Sequence, residues 1–171
     1  MKLGKISLAA VASALLLPVL GAQAATDTGS MNVRAQVADV CIVDTVNDMD
    51  FLSITPGSAA NYDASASILW RCSNGTAGTF SLDKGVTGAD ISSREMAGPG
   101  TGNLAYQLYS DTTRSTVFGD GATGSTIGVT GSGMSVASQQ STSVYGRVLD
   151  ADAQNVEPGA YADTVTVTLT F

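Results

Sequence analysis

Residues suited to acid–base or metal chemistry are scarce in this chain, which has no histidine among its 171 residues. Without histidine, neither a Ser-His-Asp nor a Cys-His arrangement can form, and the usual zinc ligand sets are missing. Ser81-Leu82-Asp83-Lys84 matches SxxK, but the chain has no KTG or SDN partner for it. Residues 119–124 match GxGxxG, but Gly, Ser and Thr follow instead of a helix. The sequence therefore predicts a protein that is not an enzyme and needs no cofactor.

A short acidic stretch near the C-terminus is the remaining candidate for metal chemistry. It contains Asp150, Asp152 and Glu157, but Asn155 stands where a calcium loop needs Gly, and Tyr161 where it needs Glu. We expect a solvated loop here and predict no metal site.

The N-terminus has the features of a secretory signal peptide. Lys2 and Lys5 precede an apolar run, and Ala22-Gln23-Ala24 has the small-x-small pattern of a cleavage site. The run is too short for a membrane span. We therefore assign residues 1–24 to a signal peptide and expect no membrane insertion of the mature chain.

The mature chain is acidic and has the length of one domain. Removing 24 of the 171 residues leaves 147, enough for a single hydrophobic core. The signal peptide holds two of the eight basic residues and none of the 15 acidic ones, so the mature net charge is −9. Phosphate binding needs a cationic face, so this balance argues against a nucleic-acid partner.

Two cysteines, Cys41 and Cys72, lie in the mature region. An even pair in an exported chain predicts a disulfide more readily than a redox or metal role. Trp70 shares a strand face with Ile68 and Cys72, so we expect it to pack in the core beside the bridge.

The mature chain has the pattern of an all-β protein, without a convincing helix. Short runs of alternating polarity are separated by clusters of Gly, Asn, Asp and Ser. Two packed antiparallel sheets are the simplest arrangement. The predicted strands are Met31–Val37, Cys41–Val43, Phe51–Ile54, Ser65–Cys72, Thr79–Asp83, Leu104–Tyr109, Ser115–Phe118, Thr126–Thr130, Ser141–Leu149 and Tyr161–Phe171.

Both ends of the mature chain carry strand patterns with one apolar face. At the C-terminus, Val165, Val167, Leu169 and Phe171 alternate with threonines. At the N-terminus, Met31, Val33, Ala35 and Val37 alternate with polar residues. Periodicity alone favours an ordinary first strand for residues 31–37, paired within its own domain.

A series of short segments is similar to the spore coat protein U-like family, which includes the pilins of archaic chaperone–usher pili. The similarity covers nearly the whole mature chain, in the family's order. Leu52 stands where the family usually has Gly, and Phe118 where it often has Trp. The segments are Cys41-Ile42-Val43, Asp50-Phe51, Arg71-Cys72, Leu82-Asp83-Lys84-Gly85, Arg94-Glu95-Met96, residues 104–111, Phe118-Gly119-Asp120-Gly121, Tyr145-Gly146-Arg147-Val148 and residues 159–164.

The resemblance implies an incomplete immunoglobulin-like β-sandwich that lacks its last strand. Residues 25–38 would be a donor strand extension and residues 39–171 the pilin domain. The donor residues Met31, Val33, Ala35 and Val37 would enter a groove of the next subunit, lined by Val165, Val167, Leu169 and Phe171. The implied partners are a periplasmic chaperone, an outer-membrane usher and further pilin subunits in a surface fibre for adhesion and biofilm formation.

Two other functions remain open from the sequence. One is a self-complete secreted coat or matrix protein, in which residues 31–37 pair within their own domain. The other is a carbohydrate-binding tip subunit, although 147 residues leave no room for an extra receptor-binding domain.

Overall fold

The computed structural model describes residues 23–171. The predicted signal peptide, residues 1–24, lies outside this range except for its last two residues. The described chain falls into two units, one ending at Ala35 and the other formed by Gln36–Phe171. No helix within residues 23–171 is long and apolar enough to cross a membrane.

The second unit consists mainly of short strands. In chain order they are β1 (Cys41–Val46), β2 (Tyr62–Cys72), β3 (Ala77–Leu82), β4 (Arg94–Ala97), β5 (Asn103–Tyr109), β6 (Ile127–Thr130), β7 (Gln140–Val148) and β8 (Val167–Thr170). A 3-10 turn, Val136–Ser138, precedes β7, and a one-turn helix α1, Asp150–Ala153, follows it.

Across residues 23–171 the strands form two antiparallel sheets. One has five strands in the order β1-β2-β7-β5-β4, and the other has three in the order β6-β3-β8. The side chains between the sheets form one apolar core. Trp70 of β2 and Phe80 of β3 meet edge to face across the two sheets, with ring centroids 5.8 Å apart. The predicted all-β sandwich is confirmed.

The core follows the alternation of the sequence. Ile68, Trp70 and Cys72 are at most 2% exposed and share the inner face of β2, as predicted. The Trp70 indole N–H donates to Thr142 Oγ1 at 2.9 Å, so its polar atom is satisfied inside the core. Cys41 and Cys72 form the predicted disulfide, which joins β1 to the end of β2.

Several strand predictions were wrong in detail. Residues 51–54 form no strand, Val117 and Phe118 make only isolated bridges, and β4 was missed. The C-terminal strand is shorter than predicted, since only Val167–Thr170 is regular. Alternation alone does not distinguish a strand from an extended loop packed against a core, and Phe51 and Ile54 lie in such a loop.

The acidic stretch also differs from the prediction, because Asp150 opens α1 and is only 7% exposed. Its carboxylate accepts hydrogen bonds from the Gly57 and Ser58 backbone N–H groups and from the Gln154 amide. The Gln154 bond lowers the pKa of Asp150 most, and bonds from Ser58 and the Ala59 N–H lower it further, against the opposing effect of burial. Asp150 therefore anchors the loop before β2 instead of standing in solvent.

Candidate binding groove

One edge of β8 is open. Among the described residues, β8 pairs with β3 alone, in the register Leu82↔Val167 to Thr79↔Thr170. Just before β8, the Asp83 N–H donates to the Thr166 carbonyl at 3.1 Å, and the Thr166 N–H donates to Asp83 Oδ1 at 2.8 Å. Both backbone groups of Thr166 therefore face the β3 side.

Along an antiparallel strand, the N–H and C=O groups of successive residues point alternately to one side of the strand and to the other. Thr168 and Thr170 consequently face β3 like Thr166. The backbone N–H and C=O groups of Val165, Val167 and Leu169 point to the open edge. This edge can accept another strand through main-chain hydrogen bonds.

The facing edge of the other sheet is open too, because β1 pairs only with β2 within the described chain. Between the two edges lies a cavity of about 250 Å³, which we call the β1–β8 groove. One wall begins at the end of β1 and consists of Val46, Asn47, Asp48, Met49 and Phe51. The wall on the β8 side consists of Asp163, Thr164, Val165 and Val167. Its floor is apolar and consists mainly of Ile68, Leu82, Leu108 and Val144.

The C-terminal residues predicted to line a groove differ in burial. Val165, Val167 and Leu169 are partly buried and pack against the core, with the alternating threonines exposed. Phe171 lies one residue beyond β8 and is 59% exposed. Val165 and Val167 line the β1–β8 groove directly.

A polar pair closes one end of the groove. The Tyr106 hydroxyl of β5 donates to Asp163 Oδ2 at 2.7 Å. Asp163 Oδ1 accepts from the Val86 and Thr87 backbone N–H groups at 2.9 and 3.2 Å. Burial and the neighbouring Asp163 carboxylate raise the pKa of Tyr106. This pair holds the segment before β8 against two other parts of the fold.

A buried cation lies beside this pair. Arg94 of β4 is 0% exposed, and its guanidinium donates to the Asp83 and Phe118 carbonyls and to the Gln107 side chain. Burial lowers its pKa from the ordinary value, but arginine remains charged at neutral pH. Backbone carbonyls thus solvate the charge and join β4 to the end of β3.

The turn after β3 requires a glycine at position 85, where the backbone passes close to Asp163. Gly85 has a φ of +82°, and a Cβ there would lie 1.9 Å from Asp163 Oδ2. Its N–H donates to Asp83 Oδ1, the atom that also accepts from Thr166. Burial raises the pKa of Asp83, but these bonds outweigh it and lower the pKa overall.

Sequence reasoning did not predict this network, although its members lie in the segments that carry the family resemblance. Asp83, Gly85, Arg94, Tyr106 and Asp163 come from four such segments. The one available signal was Arg94, a charged residue that lies in a strand of a chain with eight Lys and Arg residues. The structure brings all five to the end of the β1–β8 groove.

The N-terminal residues predicted to form a donor strand are in no strand of the structure. Residues 23–40 have no regular secondary structure, and Met31, Val33 and Val37 are 86%, 85% and 90% exposed. Ala35 is exposed as well. Their strand-forming pattern is thus present without a strand partner in the described chain.

Comparisons with known proteins identify the family. The Spore Coat Protein U domain family matches residues 27–168. Protein U of Myxococcus xanthus is 32% identical over 182 residues, which cover 98% of each chain.

A solved structure shares the fold: the CsuC–CsuE chaperone–tip adhesion subunit pre-assembly complex of archaic chaperone-usher Csu pili from Acinetobacter baumannii. The TM-score is 0.51 at 22% identity, and the match covers 79% of this chain but only 40% of that one. The family match and the identity with Protein U show that the chain belongs to the Spore Coat Protein U domain family.

Proposed function

We propose that this protein is a structural subunit of a chaperone–usher surface fibre and polymerises by donor-strand exchange. The observation that carries the proposal is the open edge of β8 beside an apolar groove. The same chain has an exposed N-terminal segment with a strand pattern and no strand partner. Segment Met31–Val37 of one subunit would enter the β1–β8 groove of the next.

The inserted strand would complete both the sheet and the core. Met31, Val33, Ala35 and Val37 would enter the groove, and Val165, Val167, Leu169 and Phe171 would form the wall against which they pack. Burying each apolar side chain contributes about 1 to 3 kcal/mol, least for Ala35. Each new ladder hydrogen bond adds about 0.5 to 1.5 kcal/mol. Main-chain bonds supply affinity and the alternating side chains supply register.

A subunit with this open groove would require a chaperone. An unpaired strand edge beside apolar side chains is prone to aggregation. A periplasmic chaperone would cover the edge until an outer-membrane usher guides the exchange. The CsuC–CsuE complex is itself a chaperone–subunit complex with a similar fold.

Head-to-tail insertion produces a filament, because each subunit offers both a donor and an acceptor and the contact does not close on itself. The product would be a fibre on the cell surface that supports attachment and biofilm formation. The mature subunit would reach this site by export through the periplasm. In this role the protein is not an enzyme and requires no cofactor.

A second candidate is a self-complete coat or matrix protein, which the family's name favours. In that protein, residues 31–37 would pair within their own domain. Circular dichroism of the isolated protein would then show a cooperative two-state unfolding transition without any partner.

The test is assembly of the purified mature protein. We expect ladders on unboiled SDS gels that collapse on boiling, and no ladders when residues 25–37 are deleted. Val33→Asp places a charge on the inserted face and should abolish the ladders. Asn32→Asp adds the same charge on the outer face and should leave them. Full-length mature protein that stays monomeric and forms no ladders at any concentration, in the absence of a chaperone, would overturn the proposal.

A further inference from the structure

The N-terminal segment carries a single cation at its centre. Arg34 is the only Lys or Arg between residues 25 and 70, and it lies between Val33 and Ala35 in the alternating run. Its side chain is exposed. When Met31, Val33, Ala35 and Val37 face a groove, alternation places Arg34 on the outer side of the strand.

The mouth of the β1–β8 groove carries an unpaired anion. Asp48 is exposed, lines the groove beside Met49, and makes no hydrogen bond or ion pair with any residue in 23–171. Asp44, on β1, is different, because its carboxylate is bound by Arg71 at 2.6 and 2.8 Å and by Gln139 at 2.9 Å. Asp50 does not line the groove, and its Oδ1 accepts from the Leu52 N–H at 2.7 Å. Asp48 is therefore the groove-lining carboxylate at this lip that remains available to an incoming strand.

We propose that Arg34 of the inserted strand pairs with Asp48 of the accepting subunit, and that this ion pair selects the register of insertion. The occupant of the groove is thus a second copy of this chain, recognised by charge as well as by shape. The inference rests on the proposed strand insertion and adds a specificity contact to it. It also explains how two copies of a chain with a mature net charge of −9 meet at this point with opposite charges.

The pair discriminates between registers by distance and by burial. A one-residue slip would turn Arg34 into the apolar floor, where an unpaired cation is strongly disfavoured. A two-residue slip keeps the apolar face inward but shifts the strand by about 7 Å. That shift is larger than the separation of about 4 Å between the charged atoms of an ion pair, so this slip weakens the Asp48 contact. Burial also disfavours this slip, because it brings Gly29 or Asp39 onto the inserted face in place of an apolar residue, and the ion pair adds to that preference.

The experiment follows assembly of the mature full-length protein on unboiled SDS gels over time, with four variants. Arg34→Glu and Asp48→Arg should each slow ladder formation by about two- to fivefold, the range expected for a partly exposed ion pair. The double variant Arg34→Glu with Asp48→Arg restores opposite charges and should recover most of the rate. Asp152→Arg is the matched control, since Asp152 is exposed on α1 and is not among the groove-lining residues.

Salt provides a second readout, because rim charges act mainly on association and are screened at high ionic strength. Added salt should therefore narrow the difference in rate between the wild type and the Arg34→Glu variant. Equal rates in all variants, with normal wild-type ladders, would overturn the ion pair and leave strand insertion standing. Slow single variants without recovery in the double variant would also overturn it. Absence of ladders in the wild type would overturn both the ion pair and the proposed function.

Discussion

The Tyr106 hydroxyl and the Asp163 carboxylate are joined by a 2.7 Å hydrogen bond at the end of the β1–β8 groove. Tyr106 belongs to the five-stranded sheet, whereas Asp163 precedes β8 of the three-stranded sheet. The bond therefore links the two layers at the point where the C-terminal segment enters its sheet. It fixes one end of the groove while the β8 edge stays open.

Removing this hydroxyl should lower stability. Tyr106→Phe keeps the ring but loses a hydrogen bond to a charged acceptor, which costs about 1.5 to 3 kcal/mol. Urea unfolding of the mature protein measures the change in the free energy of unfolding. Tyr109→Phe is the control, because the Tyr109 hydroxyl makes no hydrogen bond to the described residues. Equal losses for the two variants would contradict a specific role of the Tyr106–Asp163 bond.

A glycine at position 52 should stabilise the protein. Leu52 has a φ of 58°, a left-handed conformation, and its side chain is 82% exposed. Leu52→Gly relieves about 1 to 2 kcal/mol of strain, and part of this gain is offset by the greater flexibility of the unfolded chain. We expect a net gain of about 0.5 to 1 kcal/mol in urea unfolding. Leu52→Ala keeps the Cβ and should show no such gain; a gain equal to that of glycine would refute the strain explanation.

The Asp44–Arg71 pair predicts an acid-sensitive contribution to stability. Hydrogen bonds from Arg71 and then Gln139 lower the pKa of Asp44 from 3.8 to about 2. The folded state prefers the ionised form of Asp44. The contribution of this pair to the free energy of unfolding is therefore complete above pH 3.8 and disappears as the pH falls through 2. The stability difference between wild type and Asp44→Asn, from thermal unfolding, should shrink across this window. Asp48→Asn removes a carboxylate without such bonds and is the control; a constant Asp44→Asn difference down to pH 2 would contradict the prediction.

The disulfide should be a major source of stability. It closes a loop with a sequence separation of 31 residues, which corresponds to about 3 to 4 kcal/mol on the chain-entropy description. The Cys41→Ser and Cys72→Ser double variant should lose about this amount in urea unfolding. A reductant should destabilise the wild type and leave the variant unchanged. A reductant effect on the variant would show that the loss does not come from this bond.

The sequence predicted the sandwich and its core better than it predicted the candidate site. Ile68, Trp70 and Cys72 are buried as their alternation indicated, because one buried face imposes a period of two. β4 was missed, since its central residues, Glu95 and Met96, are only partly buried and do not alternate cleanly. Arg94 was not predicted as a core residue because its burial depends on the Asp83 and Phe118 carbonyls, which only the fold brings together.

The two ends of the mature chain also show what the sequence pattern does not predict, namely which segment each strand pairs with. The sequence indicated apolar faces on residues 31–37 and 165–171, and the structure places Val165, Val167 and Leu169 against the core. It leaves Met31, Val33 and Val37 exposed and outside any strand. A sequence pattern shows that a segment can pair, but the identity of its partner depends on contacts that a single chain does not contain.

Amide hydrogen exchange on the monomeric and assembled mature protein tests strand insertion most directly. The backbone N–H groups of Thr166 and, by alternation, Thr168 and Thr170 face β3, so they should be protected in both states. Those of Val165, Val167 and Leu169 should exchange quickly in the monomer and become protected on assembly. Unchanged, rapid exchange at these three residues in the assembled protein would contradict insertion of a donor strand at β8.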